Sequence, residues 1–525
     1  MNPKTTDRTF THRQIQVIFS GLMLGMLLAA LDQTIVSTAL PTITGELGGL
    51  AHLSWVVTAY LLASTVSTPL YGKLGDLYGR KRLFQIAILV FLAGSVLCGI
   101  AQSMGQLIAF RAIQGVGGGG LMVLAQAIVG DVVSPRERGR YQGYFGAVFG
   151  VAMVAGPLVG GFLTDQVSWR WVFYVNIPVG IVALVVTALV LPDNARRSSH
   201  RIDYLGAAVL TAAVSCMVLV TTLGGREFAW NSPMILGLGG ASFLLLGILL
   251  WVERRAAEPV LPIHLFSNRT FNVSTSVSFI IGVAMFREIS CLPLFLQVVK
   301  GASATNSGLL LLPLMVGLLT ASIGSGQVIT RTGRYKIFPL AGCAIAAAAM
   351  FLLSTMGTST SQAAIAAYMV LLGIGIGCAM QTLVLAVQNA VDRSELGVAT
   401  SSVSFARSMG GSFGVALFGA VFNNLLANNL GRTVSLGEGT SFTPADIRAL
   451  PEAARAVFVE GFAESLTTVF LYATPLIAVA FGIMWLLHEV PLRSSTDTVD
   501  HTRELAAVAA PGTADPEAAV PAGRR

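Results

Sequence analysis

The sequence predicts an all-α polytopic membrane protein, with two repeated six-helix halves and two further helices between them. Three observations predict it. The 525-residue chain is 54% hydrophobic and only 11% charged, with a mean hydropathy of +0.73, whereas a soluble domain is typically about one quarter charged. Apolar runs of about 20 residues, each long enough to cross a hydrocarbon core of about 30 Å, recur along most of the length. A 25-residue segment of the first half (115–139) also reappears in the second at an offset of 258 residues.

Taken in order, residues 1–14 are polar, and the first apolar run has no small-residue cleavage site after it, so it reads as a retained span. Fourteen spans are expected near 15–38, 53–71, 83–101, 106–130, 141–163, 171–191, 204–224, 233–252, 272–298, 306–329, 336–356, 363–388, 398–426 and 466–488. The first six form one half (15–191) and the last six the other (272–488). Linkers 192–203 and 253–271 flank the two extra spans of 204–252. Residues 427–465 are expected as an outside loop with a short helix after Thr443, and residues 489–525, rich in Ala, Pro and Thr, as a disordered tail.

Charge sets the orientation. With the N-terminus inside, 24 of the 33 Lys and Arg residues fall in cytoplasmic segments, six outside, and three (Arg111, Arg287, Arg407) within spans. Basic residues concentrate on the cytoplasmic side, so both termini are expected there, in a bacterial cytoplasmic membrane. The net charge of +7 is therefore a topological signal and points to no nucleic acid. The five cysteines all lie in apolar runs, which argues against a disulfide framework.

The repeat is visible in two places. "GKLGDLYGRKR" (72–82) matches "GQVITRTGRYK" (326–336), and "GVGGGGLMVLAQAIVGDVVSPRERG" (115–139) matches "GIGIGCAMQTLVLAVQNAVDRSELG" (373–397). Duplicated halves are a signature of secondary transporters, whose sites lie near the midplane between repeats. No Walker sequence, metal-ligand cluster or nucleophile elbow occurs, so ATP, a metal, a cofactor and enzymatic chemistry are not expected.

The motifs are specific. "GKLGDLYGRKR" resembles the cytoplasmic loop motif of the major facilitator superfamily, and "LIAFRAIQGVGGG" (107–119) its fourth-span motif. "GYFGAVFGVAMVAGPLVGG" (143–161) resembles the fifth-span antiporter motif, keeping Gly143, Gly156, Pro157, Gly160 and Gly161, with Ala152 in place of a glycine. "LDQTIVSTALP" (31–41) and "WRWVFYVNIPVG" (169–180) are similar to motifs of the fourteen-span drug:proton antiporter branch.

In the loop motif, Gly72 and Gly79 suit a tight turn and close helix approach. Asp76 can pair with an arginine such as Arg80 and with a helix N-terminus, forming a cytoplasmic latch. Leu77 stands where the family usually has a basic residue, and Thr330 replaces Asp76 in the second copy, so only the first half keeps the charged latch. Pro157 removes a backbone hydrogen bond in the fifth span, and the resemblance implies a gating role for that segment.

An ionisable residue within a span is by default a functional-site hypothesis. Asp32, Arg111, Arg287, Glu288 and Arg407 are the candidates. The resemblance implies that the first and fourth helices of each half face a central cavity. Asp32 and Glu288, at matched depth in equivalent helices, are expected there as proton acceptors, with Arg111 and Arg287 as counter-charges. The adjacent Arg287 and Glu288 are about 100° apart around a helix and so are expected to find separate partners. Arg407 is read either as a functional group or as an anchor for its span.

The expected function is proton-coupled export of amphiphilic, cationic small molecules by alternating access, with the proton as coupling ion. Export of a native lipid, siderophore or metabolite on the same fold, and a non-transporting membrane sensor, are the alternatives.

Overall fold

The computed structural model describes residues 11–48, 52–191, 203–225, 227–256, 258–302, 309–430 and 451–492, apart from the side chains of residues 12, 53, 54, 285–290, 430 and 453. Among these residues the chain is helical and contains no β-strand. The first half comprises α1 (His12–Leu47), α2 (Leu53–Tyr78), α3 (Arg80–Gly99), α4 (Met104–Val132), α5 (Pro135–Gln166), the short α6 (Trp171–Tyr174) and α7 (Asn176–Val190). Then come α8 (Tyr204–Leu223) and α9 (Pro233–Glu253). The second half is α10 (Arg269–Val298), α11 (Leu312–Thr332), α12 (Ile337–Ser354), α13 (Gln362–Ala390), α14 (Leu396–Leu430) and α15 (Glu452–Met484).

Twelve described helical segments are long and apolar enough to cross a membrane. The hydroxyl-rich α2 and α10, which coincide with two of the expected spans, fall outside that set, so the fourteen-span count does not follow from length and hydropathy.

Several boundaries differ from the expectation for identifiable reasons. Helix α1 runs nine residues past 38 because its polar end is held by tertiary contacts: Glu46 accepts hydrogen bonds from Trp169 Nε1 (2.7 Å) and Arg170 Nη1 (2.5 Å). The 171–191 span is two helices, α6 and α7. The last part of the expected outside loop is the start of α15, because Phe458, Phe462 and Ala463 are buried in the same core cluster as Leu466. The region just after Thr443, the linker residues 192–202 and the tail beyond 492 lie outside the described residues.

Each half has its own apolar core. Clusters around Leu22, Phe84 and Leu124, and around Ile35 and Trp169, hold α1–α7 together. Clusters around Phe295, Met350 and Phe470, and around Val277 and Leu383, hold the second half. The inserted pair lies against the junction of the halves: Leu210, Val214 and Val218 of α8 and Leu249 of α9 pack with Leu62 and Val66 of α2 and Met409 and Phe413 of α14.

Candidate functional site

The two halves meet through two seams, α2 against α14 and α5 against α11. Glycines make the approach possible. A methyl group on Gly72 would sit 2.7 Å from the Gly397 carbonyl oxygen and closer still to Ser401, while one on Gly397 would strike the Gly72 carbonyl. In the other seam, Gly326 faces the Gly139 carbonyl and Gly143 lies against Ser322, whose hydroxyl donates to the Gly143 carbonyl at 3.1 Å. Gly326 is the repeat counterpart of Gly72, and Gly397 that of Gly139, so the seams are one contact made twice with the halves exchanged.

Asp76 sits on the first seam. It closes an ion pair with Arg80 at 2.5 Å, and its two oxygens accept the Gly397 and Val398 amides at 3.0 and 2.9 Å. These amides are among the unsatisfied donors at the N-terminus of α14, where a carboxylate is favoured by both hydrogen bonding and the helix dipole. Asp76 is deeply buried, and desolvation pushes its carboxyl up from the ordinary range against the opposing pull of Arg80 and the two amides. Gly79, at φ +95°, supplies the left-handed turn between α2 and α3. Arg80 also pairs with Asp131 at 2.6 Å and donates to the Arg393 carbonyl at 3.2 Å. Arg393 in turn donates to the Asp131 carbonyl at 2.9 Å, from one half to the other.

At the second seam Thr330 offers no carboxylate. Instead Arg136 donates to the carbonyls of Thr330 and Arg331 at 3.2 and 3.1 Å. Between the seams Gln388 of α13 donates to the Gln126 carbonyl of α4 at 3.1 Å and to Thr400 Oγ1 at 3.0 Å, and accepts from Gln142 of α5 at 3.3 Å. Lys73 reaches Glu258, just beyond α9, at 2.8 Å.

Further from this rim lies a buried ion pair. Asp32 of α1 is 0% exposed and Arg111 of α4 2% exposed; Arg111 Nη1 meets Asp32 Oδ2 at 2.5 Å. Gln114 and Asn176 donate to Asp32 Oδ1 at 2.8 and 3.2 Å, and both also donate to Ser95 Oγ, at 2.6 and 3.1 Å. Arg111 Nη1 further donates to Gln114 Oε1 at 2.8 Å, and the guanidinium lies 4.3 Å from the Tyr60 ring centroid. Four helices, α1, α3, α4 and α7, thus converge on one carboxylate. A carboxylate in the dry interior is tolerable only with its lone pairs occupied in this way.

Asp32 and Arg111 come together, then, but not where the sequence places Asp32. It faces the interior of its own half, walled in by α3 and α7, rather than a cavity between halves. The reason is its polar neighbours: Ser95, Gln114 and Asn176 are neutral, so they leave no mark in a search for charge within apolar runs, although each is a polar residue inside one. Arg287 and Glu288 belong to the helical backbone of α10, but their side chains lie outside the described residues.

In the fifth-span motif, Gly156 and Gly160 are filled by the side chains of Thr34 and Thr38 of α1, and the Thr34 hydroxyl donates to the Ala152 carbonyl at 2.9 Å. That bond lies one residue from Met153, whose carbonyl loses its helical donor to Pro157. A methyl group on Gly161 would meet nothing within 4 Å, so this motif glycine makes no comparable contact.

Comparison with known proteins agrees with this architecture. Over 487 residues, 92% of this chain and 71% of the relative, the sequence is 48% identical to an uncharacterised MFS-type transporter of Mycobacterium tuberculosis. It is 36% identical to Multidrug resistance protein 3 of Bacillus subtilis, over 89% of this chain and 94% of that one. The fold is shared with the proton:xylose symporter XylE at a TM-score of 0.64 and 15% identity, covering 94% of this chain and all of the other. The family model for the Major Facilitator Superfamily matches residues 22–415, so the duplicated halves and glycine-lined seams belong to a transporter: this chain is a member of the Major Facilitator Superfamily.

Proposed function

We propose that the protein exports amphiphilic small molecules in exchange for protons, by alternating access, from the cytoplasm of a bacterium. The observation that carries this reading is the fully buried Asp32 carboxylate, shared by Arg111, Gln114 and Asn176. With both termini in the cytoplasm, the rim sealed around Asp76 faces inward.

In this state the groups that contact Asp32, those of Arg111, Gln114 and Asn176, are all donors, as suits a carboxylate. Protonation turns a carboxyl oxygen into a donor and weakens the hold on Arg111. Asn176 Oδ1, buried in the same network, has no hydrogen-bond partner, and rotation of that amide would present it to the new proton. Because Asp32 ties α1 to α4 and α7, its proton occupancy changes how rigidly the first half is held and so biases the rocking of one half on the other. Glu288, on the equivalent helix of the second half, is the other candidate acceptor, with Arg287 beside it.

A proton moving inward through about 100 mV and one pH unit supplies roughly 2.3 plus 1.4 kcal/mol, enough for a few-hundred-fold gradient of a neutral cargo. The cationic cargo expected from the sequence relied on carboxylates facing the cavity. Asp32 is committed to Arg111, so the described side chains lend that preference no support. The named multidrug relative supports export of drug-like amphiphiles.

The test uses inverted membrane vesicles with an acidified lumen. Adding an amphiphilic dye should release protons; no pH response to any amphiphile in a panel, with the protein correctly inserted, rejects the proposal.

A further inference from the structure

Arg407 is left over from this account. It lies on α14, the second-half helix that meets α2 and α4 of the first, about 16 Å into that helix at 1.5 Å per residue. Its backbone is pinned, because the Arg407 carbonyl occupies the space where a side chain on Gly282 of α10 would be. Its Nη1 is shielded from solvent and has no hydrogen-bond partner, and among the described residues no carboxylate pairs with it.

The register of two helices shows what stands opposite. Gln388 of α13 bonds Thr400 of α14 at 3.0 Å, close to the rim. Two helical turns further from the rim, about 10.5 Å along each helix and on the same faces, stand Gln381 and Arg407. Gln381 Oε1 is likewise buried without a partner. The apolar residues Phe405, Met409 and Phe413 lie on the opposite face of α14, packed with Leu210, Val214 and Val218 of α8. By this register a guanidinium and a primary amide stand at one level of the second half.

A shielded donor without a partner is costly, and a guanidinium presents a planar fork that matches a carboxylate. We propose that Arg407, assisted by Gln381, is the head-group site of the cargo, and that the head group is a carboxylate. This rests on the export reading above for its cargo but not for its geometry. The carboxylate docks on the Arg407 guanidinium and accepts from the Gln381 amide nitrogen.

Equilibrium binding to the purified full-length protein in detergent tests this without any proton gradient, using fluorescence anisotropy of a carboxylated rhodamine and its ethyl ester. Arg407→Gln should weaken binding of the free acid about tenfold or more and leave the ester within about twofold, which also shows the variant is folded. Arg407→Lys should retain part of the preference for the acid. Parallel weakening of both dyes, unchanged binding of the acid, or no binding of the acid by the unsubstituted protein overturns the proposal. If the vesicle assay fails while the acid-selective loss persists, the export reading is wrong and the head-group site stands.

Discussion

Replacing Asp76 by alanine should open the rim. The Asp76–Arg80 pair lies within one half and is present whether the halves are together or apart, so it does not count towards closure. What closure gains from Asp76 is the pair of amide hydrogen bonds at the start of α14, from Gly397 at 3.0 Å and Val398 at 2.9 Å. A hydrogen bond to a charged group contributes about 1.5–3 kcal/mol, and an ordinary N-cap about 1 kcal/mol. A conservative total for the two is about 3 kcal/mol, a shift of roughly a hundredfold in the ratio of closed to open rim. Arg80 keeps Asp131 at 2.6 Å, so the substitution leaves no orphan cation to confuse the result. Spin labels at the exposed positions Tyr78 and Thr332, on opposite halves, report the opening through their distance distribution. The short-distance population should give way to a longer one in Asp76→Ala. An unchanged distribution would refute the assignment of Asp76 as a latch across the seam.

Three further outcomes follow from the packing. Gly156→Ala drives a methyl group into Thr34, an overpacking worth about 1–3 kcal/mol; the thermal unfolding midpoint in detergent should fall and transport should be lost. Gly161→Ala, in the same motif but facing open space, should leave that midpoint unchanged or raise it, because alanine is favoured over glycine within a helix; a drop comparable with Gly156→Ala would contradict the packing argument. Lys73→Met removes a partly exposed pair with Glu258, worth at most about 1 kcal/mol, and vesicle transport should stay within about twofold of the parent; a tenfold loss would make that pair part of the gate.

How much of this was legible in advance varies with the physics involved. The repeated halves were, because burying a backbone in lipid demands long apolar helices and the duplicated glycines mark where those helices must touch. The Gly72 and Gly326 copies even indicate a shared role, although their partners, Gly397 and Gly139, emerge only from the packing. The attraction of Asp76 to a helix N-terminus was legible from chemistry, but which helix was not. Asp32 and Arg111 stood out as charges in apolar runs, yet the direction Asp32 faces is decided by Ser95, Gln114 and Asn176. Neutral polar residues are common in spans and signal nothing singly. Arg407 stood out too; only the helix register and the missing partner give it a setting.

The central claim is that Asp32 couples cargo movement to protons. In proteoliposomes with an acidic lumen and a pH reporter, adding amphiphilic cargo outside should alkalinise the lumen through the unsubstituted protein. Asp32→Asn should abolish that proton release while still passing cargo down its own gradient. Proton release by Asp32→Asn at the unsubstituted rate would contradict the account.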